Sequence, residues 1–121
     1  MNVRLWGIDA PESQQEYATE SQSYLVKLLT DKDLKLECFA KSYHRKVCKI
    51  FYDGKNASEE MVKAGWAWDY SQFSLKLFKK EELNARKNKL GIWKSEKTIS
   101  PFCSRHSEAK ACVKLKNLYQ P

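Results

Sequence analysis

One stretch near the start of the chain joins an apolar strand, a proline turn and three charged side chains: Arg4-Leu5-Trp6-Gly7-Ile8-Asp9-Ala10-Pro11-Glu12. Its apolar residues predict a strand over Val3–Ile8 that ends at Asp-Ala-Pro. Asp9 and Glu12 flank Pro11, whose fixed φ narrows the turn. Two carboxylates held in this way can point at one hard cation, Ca²⁺ or Mg²⁺.

The charged residues suit the cleavage of a phosphodiester. The substrate is an anion and its pentacoordinate transition state gains further charge, so arginine forks are suitable partners. Arg4 lies in the strand that precedes the two carboxylates. We expect Arg45, which lies in a later hairpin, to pack beside that strand. One carboxylate can instead position or deprotonate a water. An ordinary surface turn stays the alternative, because Asp-x-x-Glu alone is weak evidence.

Three helices are predicted along the chain. A capping box at Ser13–Glu16 predicts that the first begins there, and it should end near Thr30. A short helix is expected over Ala57–Ala64, and a long one from Ser74 to Leu90 with Gly91 as its stop. An apolar stripe at helical spacing gives the first helix its core-facing side: Tyr17, Ala18, Tyr24, Leu25, Leu28 and Leu29.

A β-hairpin should lie between the first two helices, turning near Tyr43. Apolar residues then face apolar residues and opposite charges pair across the strands. The Asp53-Gly54 turn ends the second strand. The predicted cross-strand pairs are Leu36 with Ile50, Cys38 with Cys48, Glu37 with Lys49, and Phe39 with Val47.

The four cysteines allow two interpretations. Cys38 and Cys48 can be buried thiols in the hairpin, which we favour, or a cross-strand bridge. Cys103 and Cys112 are better candidates for a bridge, because a tail with few apolar residues gains from being tied down.

Composition limits the classes of function. The 121 residues are 42% hydrophobic, which fits one globular domain, and 22 Lys and Arg against 15 Asp and Glu give a net charge of +7. That surplus favours nucleic acid first and an anionic membrane second. No apolar run approaches the roughly 18–20 residues of a membrane span, and no signal peptide is visible after Met1.

Five segments in order resemble the staphylococcal nuclease (thermonuclease) family. They cover residues 3 to 93, and the ordered set is more specific than any single segment: Arg4–Glu12, Tyr43-His44-Arg45, Asp53-Gly54, Val62–Trp68, and Ala85-Arg86 through Leu90–Trp93. The resemblance implies an α+β fold, an OB-type five-stranded barrel with three helices. It also implies Ca²⁺-dependent cleavage of DNA and RNA to 3′-phosphate and 5′-hydroxyl products.

The resemblance also assigns roles by position. Arg4 and Arg45 correspond to the arginines that contact the scissile phosphate, and Glu12 to the carboxylate usually assigned as general base. Asp9 corresponds to a calcium ligand, with Glu12 beside it, and Ala10 to a position that offers its backbone carbonyl. Tyr43 corresponds to a tyrosine on a substrate phosphate. Tyr70 and Phe73 lie near the family's base-contacting tyrosines without matching them in register, so we treat them as candidate substrate contacts.

The sequence departs from the family pattern before Arg4. The family has a further calcium-binding aspartate and two more strands in that region, which the 121 residues do not include. We therefore expect a barrel incomplete at the N-terminus, one weakly held Ca²⁺ and impaired activity. Unpaired strands would favour a homodimer. Residues 1–93 would form the nuclease domain and residues 94–121 a basic, irregular extension.

Two other classes stay open. A non-catalytic OB-type module that binds nucleic acid would need the basic charge but not the metal. A small secreted interaction domain would use the cysteines and the basic tail. The even cysteine count and the family both favour a secreted or periplasmic protein.

Overall fold

The computed structural model describes residues 3–11, 15–42, 45–70 and 77–95. This part of the chain is a mixed α+β fold with three α-helices and strands in two sheets, as expected for the OB-type nuclease fold. The described strands form one four-stranded and one two-stranded sheet, not a closed barrel. None of the described helices has the length and apolar character needed to cross a membrane.

The secondary-structure elements of the described residues follow one another in chain order. They are β1 (Val3–Leu5), β2 (Ile8–Asp9), α1 (Ala18–Leu29), β3 (Lys35–Ser42), β4 (Arg45–Tyr52), β5 (Lys55–Asn56), α2 (Ala57–Lys63), β6 (Trp68–Asp69), α3 (Lys79–Lys87) and a 3₁₀ turn (Gly91–Lys94).

The predicted strand over Val3–Ile8 is interrupted. β1 ends at Leu5, and the chain turns through Trp6 and Gly7, which has a φ of 80°. That backbone conformation favours glycine and is incompatible with a continuous strand. The interruption sends β2 to a different sheet, where it pairs with β6.

The hairpin has the predicted register over the half that lies far from its turn. Leu36 pairs with Ile50, Glu37 with Lys49 and Cys38 with Cys48. The expected pair of Phe39 with Val47 is wrong, because the register shifts after Cys38 and Ala40 takes that position. The extra residue is a β-bulge, which twists and bends the strand that carries it.

β4 is the central strand of the larger sheet. It lies between β3 and β1, and β1 runs parallel to it, with Arg4 opposite Val47 and Leu5 opposite Cys48. The turn at Asp53 and Gly54 is confirmed, and it leads back into β5 beside the end of β4.

The predicted start of the first helix is wrong. Residues 15–17 are not helical, and α1 begins at Ala18 because Tyr17 has a left-handed φ of 70°. The Tyr17 ring packs edge-on against Trp66, 6.3 Å between centroids. α3 begins at Lys79 and ends at Lys87, inside the predicted bounds, while Ser74 lies outside the described residues.

Other features of the helices are confirmed. α1 stops at Leu29, and its stripe packs on the core through Tyr24, Leu25, Leu28 and Leu29. Asn56 caps α2 by accepting a hydrogen bond from the Ser58 N–H at 2.9 Å. Gly65 follows α2 with a φ of 84°.

Cys38 and Cys48 form a disulfide across the hairpin, so the favoured interpretation as buried thiols is wrong. Their predicted register places them directly opposite each other, and their Cα atoms are 4.0 Å apart. Cys48 is fully buried whereas Cys38 is exposed. Cys103 and Cys112 lie outside the described residues.

Candidate active site

Arg4 and Asp9 come together although they belong to different sheets. Arg4 is the middle residue of β1 and Asp9 ends β2, and a two-residue turn separates the two strands. A guanidinium nitrogen of Arg4 lies 4.0 Å from Asp9 Oδ1. The side chain of Arg4 is 25% exposed and that of Asp9 10%, so the pair lies at the edge of the core but can still be reached from solvent.

The turn between the two residues is fixed by three hydrogen bonds. The Trp6 N–H donates to the Cys48 carbonyl at 2.9 Å, and the Trp6 carbonyl accepts from the buried Ser58 hydroxyl at 2.8 Å. The Gly7 carbonyl accepts from the Tyr70 N–H at 2.8 Å. Because β4, α2 and the residue after β6 all hold this turn, the backbone that presents Arg4 and Asp9 is well determined.

Tyr70 completes the cluster. The pairing of β2 with β6 brings it beside the site, and Arg4 Cζ lies 5.3 Å from the centre of its ring. Burial raises the pKa of the Tyr70 hydroxyl and the neighbouring Asp9 carboxylate raises it further, while Arg4 acts in the opposite direction. Contact of Tyr70 with substrate stays a prediction.

The backbone of Arg45 lies beside this cluster. Arg45 opens β4, and the next residue, Lys46, pairs with Val3 of β1. The parallel register therefore sets the start of β4 alongside the strand that carries Arg4. Glu12, Tyr43 and Phe73 lie outside the described residues, and their predicted roles stay predictions.

The donor chemistry at Asp9 suits a hard cation. A carboxylate oxygen and the backbone carbonyl of the exposed Ala10 are ligand types that Ca²⁺ accepts. Within the described ranges no three His, Cys, Asp or Glu residues form a group that could hold a metal. A calcium site here would therefore depend on Glu12 or on other oxygen donors.

Sequence reasoning missed a buried charge network behind the site. Glu82 on α3 is 2% exposed and accepts a hydrogen bond from the Asp69 N–H at 3.0 Å. Its second oxygen lies 3.3 Å from Lys79 Nζ and 3.0 Å from a guanidinium nitrogen of Arg86. Asp69 pairs with Ile8, so the network connects α3 to the strand pair that carries Asp9. In the sequence Glu82 lies in a run of mixed charges typical of a solvated face, and only its i,i+4 spacing to Arg86 points to a pair.

Comparison with known proteins identifies the family and agrees with the fold. Residues 2–95 match the family model described as staphylococcal nuclease homologue. An uncharacterized endonuclease of Haemophilus influenzae is 34% identical over 110 residues, which cover 89% of this chain and 62% of that protein. The staphylococcal-like nuclease CAN1 of Arabidopsis thaliana is 35% identical over 102 residues, 83% of this chain and 32% of that protein.

An uncharacterized endonuclease of Escherichia coli is 31% identical over 112 residues, 88% of this chain and 71% of that protein. The chain thus spans less than two thirds of the Haemophilus influenzae and Arabidopsis thaliana relatives. The family match nevertheless extends over residues 2–95, more than half of this chain. The chain belongs to the staphylococcal nuclease family.

Proposed function

We propose that this chain is an endonuclease that hydrolyses phosphodiester bonds of DNA and RNA. The observation that carries the proposal is the pair of Arg4 and Asp9, a cation and a carboxylate 4.0 Å apart at the edge of the core, on the two strands that flank a hydrogen-bonded turn. Family membership, the relatives' names and the net charge of +7 support it.

In the proposed mechanism the two arginines act on the phosphate. The Arg4 guanidinium donates to the phosphate oxygens, and Arg45 does so from the adjoining strand, so both neutralise charge that grows in the transition state. The oxygen of a water molecule forms a bond to phosphorus as the bond to the 5′-oxygen breaks. Glu12 takes the proton of the water and the 5′-oxygen gains one from solvent, leaving a 3′-phosphate and a 5′-hydroxyl.

Calcium dependence is part of the proposal. The Asp9 carboxylate, the Ala10 carbonyl and Glu12 would hold one Ca²⁺, which when bound supplies positive charge beside the phosphate. Arg4 already lies next to Asp9, and a neighbouring positive charge lowers the affinity of a carboxylate for a cation. We therefore expect weak calcium binding.

Cleavage of end-labelled oligonucleotides tests the function. Single- and double-stranded DNA and RNA are incubated with Ca²⁺ or with EGTA, and the product ends are identified by phosphatase and kinase treatment. Calcium-dependent products with a 3′-phosphate are expected, and Asp9→Asn should require much more calcium. Lys87→Ala, at an exposed position of α3, serves as the control. Binding of the oligonucleotides without cleavage, unaffected by EGTA, would favour a non-catalytic nucleic-acid-binding module.

A secreted or periplasmic location is proposed with this function. The disulfide between Cys38 and Cys48 supports it, because such bonds persist in oxidising compartments. Mass mapping of the protein from its native source, with thiols blocked at lysis, would find the bridge intact. Free thiols at both positions would contradict the proposal.

We also propose a homodimer through strand edges. Within the described residues β3 hydrogen-bonds only to β4, and Leu34 just before β3 and Leu36 within it are 42% and 38% exposed. Light scattering should give twice the monomer mass of 14.2 kDa. A monodisperse monomer at micromolar concentration would contradict the dimer and leave the nuclease proposal standing.

A further inference from the structure

Tyr70 is held at the active site by its backbone as well as by its ring. Its N–H donates to the Gly7 carbonyl at 2.8 Å, directly within the turn that connects Arg4 to Asp9. The preceding residues of β6 pair with β2, so the position of Tyr70 follows from the same backbone that positions Asp9.

The ring of Tyr70 lies against the guanidinium of Arg4. Arg4 Cζ is 5.3 Å from the ring centre, within the distance at which an aromatic face attracts a cation. The Arg4 side chain is only 25% exposed, and this partial desolvation strengthens the attraction. Asp9 approaches the same guanidinium at 4.0 Å, so a carboxylate and an aromatic ring together restrict it.

Such restriction matters for an arginine that must bind phosphate. A free arginine side chain samples many rotamers, and two parallel hydrogen bonds to a phosphate require one orientation of the guanidinium plane. A ring face that holds the guanidinium plane reduces the number of rotamers that the arginine samples before substrate binds. Asp9 alone cannot supply this function once a cation binds its carboxylate or a phosphate competes with it for the Arg4 guanidinium.

We propose that Tyr70 is a positioning residue that holds the Arg4 guanidinium in the orientation needed to bind the scissile phosphate. The proposal rests on the nuclease function and deepens it. It differs from base stacking, in which the ring of Tyr70 would contact the substrate directly.

A double-mutant cycle tests the proposal. Tyr70→Leu removes the aromatic face and should lower kcat about tenfold with little change in KM, because the Arg4 guanidinium loses its orientation while substrate binding is kept. Tyr70→Phe keeps the face and should recover most of that rate. In an Arg4→Ala background Tyr70→Leu should have no further effect on kcat, since the group it positions is absent.

Other outcomes overturn the proposal. An equal tenfold loss in the Arg4→Ala background would show that Tyr70 acts through the general fold. A raised KM with unchanged kcat in both backgrounds would show base stacking. Tyr70→Met replaces Tyr70→Leu if the leucine variant does not fold, which the amide spectrum reports.

A measurement without substrate separates this proposal from the nuclease function. In NMR spectra, the side-chain Nε–H and Cδ–H signals of Arg4 should carry a ring-current shift in the wild type and in Tyr70→Phe, and lose it in Tyr70→Leu. Identical Arg4 signals in all three proteins would overturn the positioning role. A wild type that shows these shifts but cuts no nucleic acid would refute the nuclease proposal alone.

Discussion

Reduction of the disulfide between Cys38 and Cys48 should destabilise the protein by an amount that the structure sets. The bridge closes a hairpin loop with a sequence separation of 10. In the chain-entropy treatment, a cross-link of that span removes about 2.7 kcal/mol of freedom from the unfolded state at 25 °C. The neighbouring pairs of Leu36 with Ile50 and Glu37 with Lys49 hold the register without it, so the reduced chain should still fold.

Urea unfolding with and without a phosphine reductant measures this effect. Cys103→Ser/Cys112→Ser is the background, so that only one bridge can be reduced. The free energy of unfolding should fall by about 2–3 kcal/mol, with a larger m-value because the reduced unfolded chain is more expanded. The same titration on Cys38→Ser/Cys48→Ala should be insensitive to reductant. A loss below about 0.5 kcal/mol in the background protein would refute the reasoning.

Three further predictions concern stability. Gly65→Ala should lower the free energy of unfolding in urea by at least about 2 kcal/mol, because φ is 84° and an added Cβ would overlap the Leu90 carbonyl. An unchanged urea midpoint would be evidence against this close approach of the two backbones. Glu82→Ala should lower the free energy of unfolding by about 3–5 kcal/mol and Glu82→Gln by less, since glutamine keeps an oxygen that can accept from Arg86 and alanine does not. Equal losses would show that the charge network does not set the stability at this position. Burial raises the pKa of Tyr52 in the folded protein. The stability that its neutral hydroxyl contributes is therefore complete below the ordinary tyrosine pKa of 10.0 and is lost as pH rises above that value. The unfolding free energy should fall above about pH 10 and fall less in Tyr52→Phe, and an identical pH profile would contradict this.

Local pattern was sufficient for the hairpin but not for its bulge. Alternation of apolar and charged residues predicted Leu36 opposite Ile50 and Cys38 opposite Cys48, because a one-residue slip would turn every side chain to the wrong face. The bulge that displaces Phe39 leaves no such trace, since an extra residue can be accommodated at several positions. The same register also brought the two cysteines within bonding distance, although burial suggested free thiols.

The sequence named candidate site residues, whose roles stay predictions, but it did not indicate the contacts between them. Arg4 and Asp9 were identified from residue type and the family pattern, and the structure brings them together. The approach of Tyr70 to Arg4 depends on the pairing of β2 with β6, two strands of two residues each. Strands this short have no periodicity to read, so tertiary packing decides their pairing.

Tertiary packing also explains why α1 begins later in the chain than predicted. The capping box at Ser13–Glu16 describes a local preference, yet the structure places Tyr17 in a left-handed conformation with its ring on Trp66. The ring contact of the half-buried Tyr17 with Trp66 outweighs a cap, which contributes only about 1 kcal/mol.

The single-turnover cleavage rate of an end-labelled oligonucleotide tests the central claim most directly. Calcium-dependent cleavage is expected of the wild type, and Arg4→Ala should cleave at least 100-fold more slowly, roughly the loss expected when one donor to a transition-state oxyanion is removed. Lys87→Ala should cleave at the wild-type rate. Equal rates for Arg4→Ala and the wild type would contradict the assignment of the active site to the turn between β1 and β2.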